Sequence, residues 1–334
     1  MKKVVLTGVK PTGQPHIGNY LGAMKPALAM AEDPEVQSFL FLADYHSLTH
    51  VHDPKKLKEW TLQLTAAWLA CGLNPQKTVI YRQSDIPEIF ELLWVLSCFT
   101  PKGFMNRAHA YKAKVQENQE KGIKDLDKGV NMGLYSYPIL MTADILLFSA
   151  NEVPVGEDQI QHVEFARDIA QKVNHVYGEV FTLPQIVIKK NTKVIPGLDG
   201  RKMSKSYNNY IPLFEEPKKL RKLIMKIKTN SLPPEAPKDP EDSILFTLFR
   251  EFASQEEVQE MEEKYRKGIG WGEAKERLFE VMERELGPKR ELYKNYMDNP
   301  SLIIKTLEEG AEKARVKASS FMKRIRKKIG ITLT

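Results

Sequence analysis

An apolar strand pattern runs directly into a loop of glycines and prolines at residues 4–19, which read VVLTGVKPTGQPHIGN. The β-rich run at 4–7 predicts a buried strand, and the glycines and prolines after it predict a loop. A helix is expected to begin at about Asn19. A strand, a loop and a helix in this order are typical of α/β proteins, in which ligands bind beyond the carboxyl ends of parallel strands.

The same alternation continues along the chain. Further apolar runs of strand length lie at residues 38–43, 78–81, 153–155 and 186–188. Asp53 and Pro54 predict the start of a helix, and Gly72 predicts its end. Helices with apolar positions three or four residues apart are also expected at 137–148 and 160–173. Strands that alternate with helices, without hairpin turns, predict a parallel sheet covered by helices on both faces.

The character of the chain changes near residue 210. From Pro212 onward the pattern is almost wholly helical, so an α/β domain at residues 1–210 and a smaller all-helical C-terminal domain at 211–334 are expected. Within the first domain, residues 101–132 are polar and rich in lysine. We interpret this segment as an insert between the two halves of the sheet.

The composition excludes several classes of protein. The 334 residues include only two cysteines, Cys71 and Cys98, and both are expected to be buried free thiols. Two are too few for a disulfide framework or a four-thiolate metal site. No apolar stretch approaches the ~20 residues of a membrane span, and no signal segment precedes the first strand. A cytoplasmic protein without a membrane partner is therefore expected.

Positive charge is concentrated at the end of the chain. The formal net charge is +7, and residues 311–334 contain eight lysines and arginines against one glutamate. Such a segment favours a polyanionic partner that binds less tightly as the salt concentration rises. A solvated helix face would have the same composition, so the charge alone leaves both interpretations open.

The loop after the first strand has the physical features of a phosphate site. Its glycines let the backbone approach a ligand, and the helix N-terminus that follows supplies free N–H donors and a positive dipole end. His16 could donate a hydrogen bond to a phosphate oxygen, or it could only cap and pack the helix. The loop matches neither G-x-G-x-x-G nor a Walker sequence, which disfavours dinucleotide-dependent dehydrogenases and P-loop NTPases.

A second basic loop follows the last predicted strand. Residues 202–206 read KMSKS and lie in a loop that begins with Pro196-Gly197 and Asp199-Gly200. Lys202 and Lys205 could close over a triphosphate and stabilise the charge that develops on departing pyrophosphate. The alternative, a solvated basic loop, is disfavoured because the pentapeptide follows an α/β domain whose first loop ends in HIGN at residues 16–19.

One carboxylate lies in an otherwise apolar helix. Asp144 interrupts the run at residues 139–148, and a carboxylate buried there requires a partner. That partner could be an internal hydrogen bond or ion pair, or it could be a ligand that donates. An indole N–H is only a donor, so an acceptor-only carboxylate in an apolar pocket suits tryptophan. Met141, one helical turn earlier, would pack on the ring.

These segments carry a family resemblance. HIGN at 16–19 and KMSKS at 202–206 resemble the two signatures of the class I aminoacyl-tRNA synthetases. Three further segments are similar to those of the bacterial tryptophanyl-tRNA synthetases: YPILMTADIL at 137–146, VGEDQ at 155–159 and EGAEKA at 309–314. Because their order and spacing agree over essentially the whole chain, the sequence is identified as a member of this family.

The resemblance implies a two-step ligase reaction. ATP and L-tryptophan would give tryptophanyl-adenylate and pyrophosphate, and the tryptophanyl group would then pass to tRNA(Trp). It also implies a Rossmann-like catalytic domain at 1–210, an anticodon-binding helical domain with a basic last helix at 211–334, and a homodimer. The sequence shows no cluster that would cage a metal, so Mg²⁺ would arrive with ATP. DNA is not an expected partner.

The resemblance also carries site residues over to the matching positions. The implied catalytic residues are His16, Asn19, Lys114, Lys202 and Lys205. The implied ATP-binding residues are Lys10, Pro11, Thr12, Gly18, Asn19, Gly156, Glu157, Asp158, Val194, Lys202, Met203, Ser204, Lys205 and Ser206. The implied tryptophan-binding residues are Asp144, which would accept from the indole nitrogen, with Met141, Tyr137, Gln159 and His46.

One residue departs from the family pattern, and three alternatives to this function stay open. Many bacterial members carry glutamine where this chain has Lys10, which places a positive charge beside the ATP or the tryptophan carboxylate. The alternatives are a small-molecule nucleotidyltransferase with a similar His-x-Gly-x loop, a tyrosine-specific relative and a tRNA-binding relative without catalysis. The KMSKS segment disfavours the nucleotidyltransferase. The carboxylate of Asp144 disfavours the tyrosine-specific relative, and the intact His16 disfavours the relative without catalysis.

Overall fold

The computed structural model describes residues 2–156, 159–188 and 194–333. Its sheet contains the strands β1 (Lys3–Val9), β2 (Val36–Leu42), β3 (Thr78–Arg82), β4 (Glu152–Val155) and β5 (Gln185–Ile188). All neighbouring pairs are parallel, in the spatial order β3-β2-β1-β4-β5. The predicted α/β fold with a parallel sheet is confirmed, and the predicted strands differ from the observed ones by a few residues at their ends.

The order of the strands explains where a ligand can bind. The chain adds β2 and β3 on one side of β1, and then β4 and β5 on the other side. The connections therefore diverge at the carboxyl end of β1, and such a switch point opens a crevice in parallel α/β sheets. The loop that carries His16 begins at this point.

Helices make up most of the remaining regular secondary structure. The stretch after the first loop runs from α1 (Ile17–Asn19) through a π-helical turn (Tyr20–Met24) into α2 (Lys25–Ala31). The next helices are α3 (Asp44–Ser47), α4 (Pro54–Ala70), α5 (Glu88–Cys98), α6 (Lys102–Met105), α7 (His109–Glu120), α8 (Met132–Leu147) and α9 (Ile160–Tyr177). The C-terminal helices are α10 (Pro217–Met225), α11 (Ile244–Phe252), α12 (Gln255–Lys267), α13 (Trp271–Asp298) and α14 (Pro300–Lys328).

Helix α4 shows why the local sequence forms these elements. Asp53 is its N-cap, and the carboxylate accepts hydrogen bonds from the N–H groups of Lys55 and Lys56. Pro54 occupies the first helical turn, where its missing N–H costs nothing. Gly72 follows the C-cap with φ of 107°, a conformation that a side chain disfavours. The predicted start and end of this helix are confirmed.

Two hydrophobic clusters cover the two faces of the sheet. Leu40 and Leu42 of β2 pack into one cluster, and Phe39 and Phe41 pack into the other, as the alternation of side chains along a strand requires. The first cluster includes α4 and most of α10 to α13, whereas the second includes α5, α8 and α9. Residue 210 therefore does not separate the clusters, since the helical region contributes to both of them.

The insert at residues 101–132 contains α6 and α7. It contacts the start of α9 through Gln161, whose Oε1 accepts from the His109 N–H at 2.9 Å and whose Nε2 donates to the Arg107 carbonyl at 3.1 Å. Asn118 closes the loop after α7 by donating to the carbonyls of Leu126 and Lys128, both at 2.8 Å. The insert lies between β3 and β4 in the chain, as its position in the sequence suggested.

The last helix returns to the sheet. Ile303 and Leu307 of α14 belong to the first cluster. Six later residues of the same helix belong to the second: Ala311, Ala314, Ala318, Phe321, Met322 and Ile325. Gly310 permits the crossing, because a Cβ built there would lie 1.7 Å from the Ile80 carbonyl oxygen of β3. Arg326, within the basic segment, forms an ion pair with Glu91 of α5. The basic segment is thus docked on the α/β part of the chain.

The two cysteines differ in their exposure. Cys71 is buried as expected, but the prediction for Cys98 is wrong because this thiol is exposed. It lies in the last turn of α5 on the same face as Trp94, whose side chain is 72% exposed.

Among the residues described, no helix combines the length and the apolar character needed to cross a bilayer.

Candidate active site

The two signature segments meet at the carboxyl end of β1. The Lys205 ammonium donates to the Thr12 carbonyl at 3.0 Å. The Gly18 N–H points at the Met203 sulfur at 3.2 Å, and a Cβ at Gly18 would lie 3.3 Å from the Met203 Cβ. Segments almost two hundred residues apart in sequence therefore form one surface, which the sequence predicted only from the family resemblance.

Main-chain hydrogen bonds hold the two segments together. The Ile17 N–H donates to the Ile211 carbonyl at 2.9 Å, and the Leu213 N–H donates to the Pro15 carbonyl at 3.0 Å. Within the second segment, the Ser204 hydroxyl accepts from the Ser206 N–H at 3.2 Å, and the Asn209 amide accepts from the Ser204 N–H at 2.8 Å. These hydrogen bonds hold the backbone of the two loops in place relative to each other.

His16 caps the helix that it begins. Its Nδ1 accepts from the Asn19 N–H at 3.3 Å, and the Asn19 side-chain oxygen accepts from the His16 N–H at 3.1 Å. Burial, with the nearby positive charge of Lys205, lowers the pKa of His16 to about 4. The imidazole is therefore neutral at pH 7, and because Nδ1 accepts, the proton lies on Nε2. His16 can cap the helix and donate to a phosphate oxygen at the same time.

This shift in pKa makes stability depend on pH. The unfolded chain protonates His16 below its ordinary pKa of 6.5, whereas the folded chain resists protonation down to about 4. Stability from this group is therefore present above pH 6.5 and is lost as the pH falls towards 4, by about 3 kcal/mol at most. Urea unfolding at pH 7, 5 and 4 measures the loss. His16→Asn keeps a good N-cap without the titration, so this variant should lose less; equal losses would contradict the assignment.

The lysines of the site differ in their surroundings. Lys205 and Lys10 are partly desolvated, which lowers the pKa of each ammonium. Lys10 lies with its ammonium 5.6 Å from the centre of the Tyr137 ring, on the side of the predicted tryptophan residues. Lys202 is exposed and pairs through its backbone with Pro196. The positive charge of Lys10 therefore points towards the amino-acid side of the crevice.

Asp144 lies in a hydrogen-bonded network with two other buried side chains. It is 1% exposed, and its Oδ2 accepts from His46 Nε2 at 2.8 Å. The Gln83 amide also donates to both carboxylate oxygens, at 2.9 and 3.0 Å. Burial raises the pKa of Asp144, whereas these donors lower it. The internal partner that a buried carboxylate requires is thus present in His46 and Gln83, and the sequence analysis identified neither of them as that partner.

A cavity of about 430 Å³ lies next to this network. Its walls include Tyr45, His46, Thr49, Tyr137 and Leu140. The Tyr137 hydroxyl lies 2.5 Å from His162 Nε2, so this side chain is held at the edge of the cavity. Asp144 adjoins the cavity through its hydrogen bond with His46, which is part of the wall. Met141 is partly buried in the same hydrophobic cluster as Leu140.

The remaining predicted site residues lie in different surroundings. Lys114 forms an ion pair with Glu117 of its own helix at 2.9 Å, and among the residues described no hydrogen bond or ion pair joins it to either signature segment. Gly156 is exposed, and its carbonyl accepts from the Gln159 N–H at 3.0 Å before α9. Val194 is 62% exposed. Glu157 and Asp158 lie outside the described residues.

Comparison with known proteins gives the family. Residues 2–287 match the model of the tRNA synthetases class I (W and Y). The chain belongs to this family. It is similar to a tryptophan–tRNA ligase of Neisseria meningitidis, with 53% identity over 99% of this chain and 98% of the relative. A tryptophan–tRNA ligase of Pseudomonas aeruginosa is 51% identical over 98% of this chain and 73% of its own length.

A solved structure of the same family agrees over nearly the whole chain. Campylobacter jejuni tryptophanyl-tRNA synthetase, complexed with ADP and tryptophan, superimposes with a TM-score of 0.88 at 45% identity. The match covers 98% of this chain and 99% of that one. Membership of the class I tRNA synthetases confirms the predicted family and removes the small-molecule nucleotidyltransferase from the alternatives.

Proposed function

We propose that this chain is a tryptophan–tRNA ligase, which activates L-tryptophan with ATP and transfers the tryptophanyl group to tRNA(Trp). The observation that carries the proposal is the 53% identity with a tryptophan–tRNA ligase over nearly all of both chains. The site geometry supports the same reaction. Lys205 of the second signature segment contacts the loop that carries His16, at the switch point of the sheet. The acceptor-only carboxylate of Asp144 supports tryptophan as the amino acid.

The first step requires positioning and charge stabilisation. A carboxylate oxygen of tryptophan attacks the α-phosphorus of ATP, the bond to the bridging oxygen breaks, and pyrophosphate leaves with that electron pair. We assign His16 Nε2–H and the Lys205 ammonium to the phosphate oxygens on which charge develops. No side chain forms a covalent intermediate, so the neutral state of His16 suits a role as a hydrogen-bond donor.

Mg²⁺ is proposed to enter with ATP. Within the described ranges no group of three or more His, Cys, Asp and Glu side chains could hold a metal ion. The phosphate-facing groups in the crevice are instead donors and cations, which fit a metal–phosphate complex whose ion is held by the phosphates. Bound there, the ion would neutralise phosphate charge.

The second step requires tRNA, and we propose where it binds. Transfer from the adenylate to a ribose hydroxyl of the terminal adenosine releases AMP. We assign anticodon recognition to the helical region after residue 210 and to the exposed lysines and arginines of α14. Lys10, Lys114, Lys202 and the segment 156–159 remain proposed ATP or tryptophan contacts. A cytoplasmic homodimer, as in the family resemblance, completes the proposal.

Amino-acid-dependent pyrophosphate exchange tests the function without tRNA. The chain is assayed with ATP and labelled pyrophosphate in the presence of each amino acid in turn. Tryptophan should give exchange at least a hundredfold faster than tyrosine or phenylalanine, since a site built around a polar group rejects analogues that lack it. Exchange with tyrosine alone would assign the tyrosine-specific alternative. No exchange together with retained tRNA binding would assign the non-catalytic one.

Neutralising the basic end of α14 should weaken tRNA binding without affecting adenylate formation. Arg324, Lys327 and Lys328 are exposed, and each contact with a phosphate contributes about one unit to the slope of log K against log salt. The triple substitution to Gln should therefore lower that slope by up to about three units. Arg326→Gln is the control, because this residue pairs with Glu91 and should alter stability instead. An unchanged slope in the triple variant would leave tRNA binding to the other helices.

A further inference from the structure

Gln83 is a buried residue to which the proposed reaction assigns no role. It follows β3 directly and lies in a short 3-10 turn at residues 83–85. Its side chain is completely buried at 0% exposure, although it carries an uncharged amide with both a donor and an acceptor. A buried amide costs free energy unless its groups are hydrogen-bonded, so its partners show what it does.

The partners of Gln83 fix the direction of its amide. The side-chain oxygen accepts from the His46 main-chain N–H at 3.3 Å, and a main-chain N–H can only donate. The amide nitrogen must therefore face Asp144, where it lies 2.9 and 3.0 Å from the two carboxylate oxygens. Because the main chain of α3 holds the amide oxygen of Gln83, the amide nitrogen of Gln83 can face Asp144 in only one orientation.

His46 and Gln83 together determine how Asp144 is presented. His46 Nε2 binds Oδ2 from the side of the cavity, and Gln83 binds both oxygens. An ionised carboxylate offers about four acceptor positions, and these contacts use three. The carboxylate thus keeps capacity for one more donor while its rotation is restricted from two directions.

We propose that Gln83 is a positioning residue for amino-acid selection, which holds the Asp144 carboxylate ionised and oriented to accept the indole N–H of tryptophan. The inference rests on the proposed function. Gln83 itself does not contact the substrate. Its effect on selection passes through Asp144, so it should appear only with substrates that possess the N–H.

Substrates with and without the N–H provide the test. Gln83→Met keeps the volume of the side chain but removes both amide groups. Pyrophosphate exchange is measured with tryptophan and with β-(benzothiophen-3-yl)alanine, in which sulfur replaces the N–H of the same bicyclic ring. The variant should lose about 10- to 100-fold in kcat/KM for tryptophan, as expected when donors to a charged partner are lost. The value for the sulfur analogue should change less than threefold.

A control separates positioning from loss of structure. Asn174 is another amide bonded to the main chain, since its oxygen accepts from the N–H groups of Val180 and Phe181 at the far end of α9. Asn174→Leu should lower the melting temperature without altering the ratio of kcat/KM for the two substrates. Equal losses for both substrates in Gln83→Met would overturn the proposal and leave Gln83 a structural residue. If the unmodified chain showed no tryptophan-dependent exchange, the proposed function itself would be wrong.

A second variant, Gln83→Glu, tests the same proposal if Gln83→Met does not fold. Gln83→Glu retains an acceptor for the His46 N–H, and its protonated form can still donate to Asp144. Other groups near the carboxylate are His46, the buried Tyr81 hydroxyl and Asp44. Two adjoining buried carboxylates share one proton, so kcat/KM for tryptophan should fall in this variant as that proton is lost with rising pH. A profile parallel to that of the unmodified chain would contradict the positioning role.

Discussion

Lys205→Ala should reduce the rate of tryptophanyl-adenylate formation by about 10²- to 10³-fold while tryptophan affinity stays nearly unchanged, the usual magnitude for loss of one donor to a developing charge. Lys205 reaches the first signature loop at the Thr12 carbonyl, and its ammonium is partly desolvated. Charge on the departing pyrophosphate appears only in the transition state, so the lost interaction should affect the rate and not ground-state binding. Single-turnover activation and equilibrium tryptophan binding measure the two quantities separately.

The same loop offers a matched control for Lys205. Arg201 is an exposed cation that pairs with Asp199 and lies over the Tyr207 ring, so Arg201→Ala should leave the activation rate within a few-fold. Lys205→Ala should also raise the pKa of His16, since the charge of Lys205 is one of the causes that lower it. If tryptophan binding collapsed while the activation rate stayed constant, Lys205 would be a substrate clamp instead.

Asp144→Asn should lower kcat/KM for tryptophan by about 10- to 150-fold, the equivalent of about 1.5–3 kcal/mol for hydrogen bonds to a charged group. The carboxylate accepts from His46 and Gln83 in a site that is 1% exposed. An asparagine would turn its own NH₂ towards at least one of these donors, which leaves two buried donors facing each other. The amide would also present a weaker acceptor to the indole N–H.

The measurement for Asp144 is tryptophan-dependent pyrophosphate exchange together with thermal unfolding. Asp85→Asn is the control, because Asp85 is the carboxylate of the adjoining 3-10 turn and pairs with Arg82 instead. The control should retain kcat/KM for tryptophan. An unchanged kcat/KM in Asp144→Asn would show that the carboxylate serves only the internal network with His46 and Gln83.

Local sequence determined most of the secondary structure. The apolar run at 4–7, the cap at Asp53 and Gly72 after α4 each act within a few residues, so propensity and capping chemistry suffice to predict them. The parallel sheet followed from the alternation of these elements. The two signature segments were recognisable as patterns of four and five residues, but their sequences do not show that they contact each other. Cys98 was misplaced because an apolar helix does not reveal which of its faces is buried.

Only the tertiary structure decided the contacts between distant segments. Gln83 becomes a partner of Asp144 because β3 ends beside α8, and a single glutamine after a strand gives no sign of this in the sequence. The low pKa of His16 depends on burial by residues near 211 and on Lys205, which lie far along the chain. The docking of α14 depends on the close approach of Gly310 to Ile80. Sequence thus fixes elements whose energetics are local, whereas charge states and partners depend on side chains that only packing brings together.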